Sequence, residues 1–351
     1  MKGFFYGFVL ISMNLFASRG LVVACNDNYV GYFMPNLAYL RRQLKCDLPV
    51  EVWYAGDELS EENQMLLSRF NNITFHDIVD VYGGQAKDYW GYHIKGLMLK
   101  ASSFSEVMIV DADVYFVSDP AHLFDHPRYL ETGAYFFRDF QMFDFTSRHD
   151  EIQETENGSS RWKHGFIESY WARRHYFQSL IFSPSQYLPE DMRFFWENKE
   201  PTAETKLLMH YQESGVVLID KQRHRRGVEH IYQLNRNYQT TYQYVAGDKE
   251  TYWMGMEMAK EPYAFNEGYP MNIRGKWIVY GVKRQKIRLA HKVDGKLCWF
   301  QKNPIDLGKH PIYKGYDGQE LGPLTPEEVS QLDQLAFYVR MFGKPIRESL
   351  K

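Results

Sequence analysis

The stretch from residue 20 to residue 117 constrains the fold most, because short apolar runs and helical segments alternate along it. Residues 21–24 (LVVA) are apolar throughout and of strand length. Residues 35–44 follow with Leu37, Leu40 and Leu44 at helical spacing. Residues 50–55 alternate as a strand. Ser60, Glu61 and Glu62 then open a helix to about Phe70, with a hydroxyl cap and acids in its first turn. Residues 73–78 read as a third strand, and a helix over 92–102 leads into EVMIVDADVYF, whose VMIV run suits burial on both faces. Such a strand needs helices on either side. The pattern therefore predicts an α/β chain with a mostly parallel central sheet flanked by helices.

The first strand is followed by ACNDNYVGY, which holds neither GxGxxG nor GxxxxGK with a hydroxyl residue after it. The dinucleotide-binding and P-loop readings lose their main support. A net charge of -3 argues against bulk attraction to nucleic acid or to anionic membrane. Cys25, Cys46 and Cys298 have no metal-ligand spacing and read as small buried residues. Residues 3–17 carry no charge and are too short to span a bilayer comfortably. They fit a signal-peptide core or a short membrane anchor over residues 1–18, which points to the secretory-pathway lumen or export, with the cytoplasm as the alternative. The sequons at Asn72 and Asn157 add weak support.

The second half is less regular. Residues 133–138 and 215–220 (GVVLID) read as strands, 145–162 as a polar surface loop, and 223–235 as an amphipathic helix. The basic run 221–226 reads as a solvated face. Residues 287–299 read as a hairpin turning at Asp294-Gly295. Thr325 to Glu328 form a capping box that starts a helix to about Met341. With no repeat and no Pro/Gly/Ser linker, the chain divides into residues 1–18, one catalytic domain over 19–305, and a C-terminal helical extension over 306–351.

The chemistry centres on VMIVDADVYFVSDP. Asp111 and Asp113 lie two apart at the end of a strand, so both carboxylates can lean to one side. Ligands of open α/β sheets bind beyond the carboxyl ends of the strands, where this pair falls. Two hard oxygen donors suit Mn²⁺ or Mg²⁺, which would bridge a diphosphate and offset the charge developing on it as it leaves.

The block YHIKGLMLKASSFSEVMIVDADVYFVSDPAHLF, residues 92–124, resembles the core of the Mnn-type α-mannosyltransferases. LPVEVWYAGDELS (48–60), ESGVVLIDKQRH (213–224) and GDKETYWMG (247–255) resemble the same family in the same order. The resemblance implies a GT-A fold, the nucleotide-diphospho-sugar transferase type. It also implies a metal held by Asp111 and Asp113, GDP-mannose as donor, and retaining transfer to a glycan or glycoprotein hydroxyl. It places Lys95 and Asp111 near the nucleotide, with Glu213, Asp248 and Lys249 at the sugar mouth. Glu213 and Asp248 become the catalytic candidates, and Lys249 a cofactor-binding one. The family's C-terminal F-x-H-x-N pattern is broken here. LCWFQKNPI has Gln301 where histidine is expected, which leaves His291 of RLAHKVDG as the candidate third metal ligand. A glycogenin- or galactosyltransferase-like enzyme using a UDP-sugar, and an inactive glycan-binding relative, are the competing readings.

Overall fold

The structure, a computed structural model, describes residues 19–89, 91–139, 170–197, 211–276, 286–301, 309–314 and 319–349. The expected N-terminal targeting segment, the 145–162 loop and the Asn157 sequon lie outside these residues. Strands β1 (Arg19–Ala24), β2 (Val50–Tyr54), β3 (Ile73–Asp77) and β4 (Glu106–Asp111) run parallel in the order β3-β2-β1-β4. Helices α1 (Asp27–Arg42) and α2 (Glu61–Leu67) cover one face, and α3 (Ile78–Tyr82) and α4 (Ile94–Ala101) the other. On β4, Val107 and Ile109 enter the core on one side while Met108 and Val110 enter it on the other. This is the burial that the apolar run demanded. Helix α1 begins well before the expected Pro35, because the Asn26 side chain accepts a hydrogen bond from the Asn28 amide at 3.1 Å and caps it.

Strand β5 (Val114–Phe116) leaves this sheet after the turn at Ala112. Helix α5 (Pro127–Thr132) then leads into β6 (Ala134–Arg138), and α6 (Tyr170–Leu180) precedes β7 (Gln212–Asp220). Strand β7 lies antiparallel between β4 and β6, and starts three residues earlier than the apolar run suggested, because Gln212 and Glu213 still pair with β6. Helices α7 (Arg225–Arg236), α8 (Tyr238–Thr241) and α9 (Thr251–Ala259) follow. Ile231, Trp253 and Met256 of α7 and α9 join the α4 side of the core. The short β8 (Ala264–Phe265) closes the sheet edge beside β6.

A second, antiparallel sheet contains β9 (Met271–Lys276), β10 (Lys286–Val293), β11 (Lys296–Gln301), β12 (Lys309–Lys314) and β13 (Glu320–Pro323), in the order β13-β12-β9-β10-β11-β5. The β10–β11 hairpin turns at Asp294-Gly295 as expected, both with positive φ. The C-terminal stretch is thus not helical alone, since it supplies two strands before α10 (Pro326–Ser349). The capping box is present: the Glu328 amide donates to Thr325 Oγ1 at 3.2 Å, and the Thr325 amide to Glu328 Oε2 at 2.8 Å. Leu332, Leu335 and Val339 of α10 share a core cluster with Tyr39 of α1. All three cysteines are buried and free. No helix among the described residues is long and apolar enough to cross a membrane. The α/β, helix-flanked and mostly parallel sheet of the GT-A-type expectation is in place.

Candidate active site

Strand register assembles the site. Asp111 ends β4 opposite Ala24 of β1. On the other side Val110 pairs with Val216, so β7 carries Glu213, Ser214 and Gly215 past the end of β4. The Asp111-Ala112-Asp113 turn then passes the chain to the second sheet, where Val114 faces Gln301 of β11. Three elements that are far apart in sequence therefore meet at one sheet edge. Gly215 permits that meeting, because a Cβ there would stand 2.5 Å from Gln301 Nε2.

Two linked groups of alternating charge fill this edge. In the first, Lys95 reaches from α4 to Asp111 Oδ1 at 2.7 Å and to Asp248 Oδ2 at 2.9 Å. Its ammonium also donates to Ser214 Oγ at 3.1 Å and to the Ser214 carbonyl at 3.2 Å. Burial pulls its pKa down, but the two carboxylates outweigh that and hold it above the ordinary lysine value. Tyr252 of α9 donates to Asp248 Oδ2 at 3.0 Å. In the second group, Lys249 lies 2.6 Å from Asp139 Oδ2 and 2.9 Å from Glu213 Oε2. Glu213 Oε1 accepts from the Gly215 amide at 2.9 Å and from Gln301 Nε2 at 2.8 Å. Burial pushes the Glu213 carboxyl up, yet the adjoining Lys249 ammonium overrides it and leaves the pKa below the ordinary range.

The structure thus brings Asp111, Lys95, Asp248, Glu213 and Lys249 together as the sequence suggested. Asp113 stands half-exposed one residue beyond Ala112, and its charge acts on Asp111. Both oxygens of Glu213 are occupied by donors and its side chain is only 1% exposed. It braces Lys249, Gln301 and the Gly215 backbone from below. Asp139 and Ser214 belong to the network without having been singled out from sequence. Asp139 simply follows an apolar strand, and no local pattern marks it.

His291 lies close enough to Glu213 and Lys249 for their charges to act on it, but not in a metal-holding group with Asp111 and Asp113. Its ring is fully buried, stacked on Trp299 at 4.1 Å between centroids and edge-on to Phe137 at 5.2 Å. Among the described residues, no three His, Cys, Asp or Glu side chains converge into a group able to hold a metal, so the expected set of Asp111, Asp113 and His291 is not assembled. Gln301 does not substitute, since its amide is directed at Glu213. The carboxylate pair itself suits a divalent cation. Burial pushes the Asp111 carboxyl up to about 7 despite Lys95, and repulsion from Asp113 and Asp248 adds to this. Such an edge carries more negative charge than Lys95 offsets. Two carboxylates with the remaining positions left to phosphate oxygens and water is a common arrangement for small hard cations.

Burial also pushes the His291 imidazole down to about 3. A depressed folded value stabilises the protein above the unfolded histidine pKa of about 6.5, and that contribution fades as pH falls toward 3. Urea unfolding between pH 7 and pH 4 is expected to lose stability more steeply in the wild type than in His291→Phe, by up to about 1.4 kcal/mol per pH unit. Equal slopes would show that the ring takes up its proton in the folded state.

With this geometry in view, residues 18–280 match the family model described as "Mannosyltransferase putative". The chain is 23% identical over 290 residues to "Putative alpha-1,3-mannosyltransferase MNN12" of Candida albicans, covering 72% of this chain and 31% of that protein. It is 26% identical over 260 residues to alpha-1,3-mannosyltransferase MNT3 of Saccharomyces cerevisiae, covering 71% and 39%. The match therefore spans about a third of these relatives' length. Among solved structures, core-mannan synthase A of Aspergillus fumigatus in its Mn/GDP form is 12% identical, with 74% of this chain and 73% of that one covered at a TM-score of 0.43.

Proposed function

The chain belongs to the mannosyltransferase family matched by its residues 18–280, and from that premise we propose a metal-dependent retaining transferase that moves mannose from GDP-mannose to a glycan or glycoprotein hydroxyl. The observation that carries the reading is the Asp111/Asp113 turn at the sheet's carboxyl edge, backed by a buried lysine that grips Asp111. Lys95, itself held by Asp248, fixes one oxygen of the Asp111 carboxylate in place, so that group needs little reorganisation to meet a ligand. A cation bound there, Mn²⁺ or Mg²⁺, would offset charge on the diphosphate leaving group. Lys249 lies at the same edge, adjacent in sequence to Asp248, and presents a cation whose position Glu213 and Asp139 hold. Retaining transfer needs no general base to deprotonate the acceptor from the opposite face, which agrees with a Glu213 carboxylate already committed to three donors. The uncharged residues 3–17 favour action in the secretory-pathway lumen.

Isothermal titration with GDP and UDP, each with and without Mn²⁺, tests this. GDP is expected to bind only with the metal and more tightly than UDP. Metal-independent binding, or no binding of either nucleotide, would remove the proposal. A preference for UDP would keep the metal site and change the donor.

A further inference from the structure

One exposed aromatic residue stands at this edge without a part in the charge network. Helix α4 leads directly into β4 and runs back against the strands, so its N-terminus lies at the carboxyl edge where Asp111 ends β4. Tyr92 is at that N-terminus, one turn before Lys95, whose amide donates to the Tyr92 carbonyl at 3.2 Å. Its side chain is 61% exposed. The ring lies against the backbone of Gly247, where φ is +70° and a Cβ would come within 3.0 Å of Tyr92 Cδ2. Asp248 and Lys249 follow immediately. The neighbouring His93 is buried, stacks on Tyr238 at 4.1 Å between centroids, and bonds the Asp88 carbonyl at 3.0 Å. The segment that presents Tyr92 is therefore anchored, with the ring seated on one side and open to solvent on the rest.

We propose that Tyr92 is a stacking surface for the apolar face of a hexopyranose ring, an inference that rests on the sugar-transfer reading above. An amphipathic ring beside charged groups suits a ligand that is apolar on one face and hydroxylated at its rim. Distance decides between sugar and base. Three residues at helical spacing rise about 4.5 Å, so Tyr92 lies roughly one sugar ring beyond the lysine that holds Asp111. A hexose joined directly to the diphosphate, or the acceptor hexose that meets it, falls within that reach. A nucleobase is held off from the diphosphate by its ribose.

The experiment compares wild type, Tyr92→Ala and Tyr92→Trp by transfer kinetics, by donor hydrolysis without acceptor, and by direct titration with GDP–Mn²⁺ and with mannobiose. Tyr92→Ala is expected to raise the KM of one sugar substrate about tenfold, with kcat and GDP affinity within about twofold of wild type. Tyr92→Trp should retain the wild-type KM. A KM change in donor hydrolysis assigns the donor sugar, and a change confined to transfer, with weaker mannobiose binding, assigns the acceptor. Unaltered KM values and mannobiose binding in Tyr92→Ala would overturn the inference, as would a loss of GDP affinity, which would make the ring a base platform. Wild-type protein that neither turns over nor binds GDP but binds mannobiose through Tyr92 would sink the transferase reading and leave the sugar surface standing. No mannobiose binding and no turnover in wild type would remove both.

Discussion

Asp113→Ala is expected to lower mannose transfer by roughly a thousandfold or more while leaving the protein folded. The side chain is half-exposed at the turn after β4, so its removal empties no core. Under the proposed function, what it removes is one of the two carboxylates that would hold a cation, and with it the charge that would offset the departing diphosphate. Steady-state transfer from GDP-mannose, Mn²⁺-dependent GDP titration and thermal denaturation together check this. Activity and metal-dependent GDP affinity should fall together, with the unfolding midpoint nearly unchanged. Asp111→Ala is the instructive contrast. Lys95 is only 5% exposed and would then keep, among the described residues, only Asp248 in a direct ion pair, so stability should fall along with activity. Retained transfer in Asp113→Ala would place the metal site elsewhere.

The largest effect on stability should come from Lys249→Met. Its ammonium is the shared partner of Glu213 and Asp139, whose side chains are 1% and 5% exposed. Removing one partner from a buried ion pair costs about 3–5 kcal/mol, because the remaining charge has lost both its counterion and its water. The sign of the pH dependence follows. In the wild type Lys249 holds the Glu213 pKa below its ordinary value, so the pair stabilises above the unfolded carboxylate pKa, and this is lost as pH falls through it. Without Lys249, burial loses its largest opponent, and the Glu213 pKa should rise even though the Gly215 amide and Gln301 still donate to it. The penalty should then be greatest near pH 8 and shrink toward pH 5, as the carboxyl is protonated inside the fold. Denaturant unfolding of both proteins at those two pH values measures it. Glu213→Gln in the Lys249→Met background should recover part of the loss at pH 8. A penalty that does not change with pH would mean that lost packing, and not an unpaired charge, is the cause.

Where residues act through their immediate neighbours, the sequence is a sufficient guide. The VMIV run demanded cover on both faces and obtains it, the Thr325–Glu328 box caps its helix, and the Asp294-Gly295 turn closes its hairpin. The acidic pair at the end of that run was legible for the same reason, since strand periodicity alone puts it at the sheet edge. Contacts across the fold were not legible. Nothing near Asp139 signals that it shares Lys249 with Glu213, and nothing near His291 signals that the ring is sealed against Trp299 and Phe137 instead of turned toward the carboxylates. Local order follows from hydrogen-bond geometry and hydrophobic period, which a few residues carry by themselves. Which charge meets which depends on strand register and on the passage of the chain between two sheets at Ala112. Only the folded arrangement decides that Lys95 grips Asp111, that Gln301 is spent on Glu213, and that Tyr92 is left facing outward beside them.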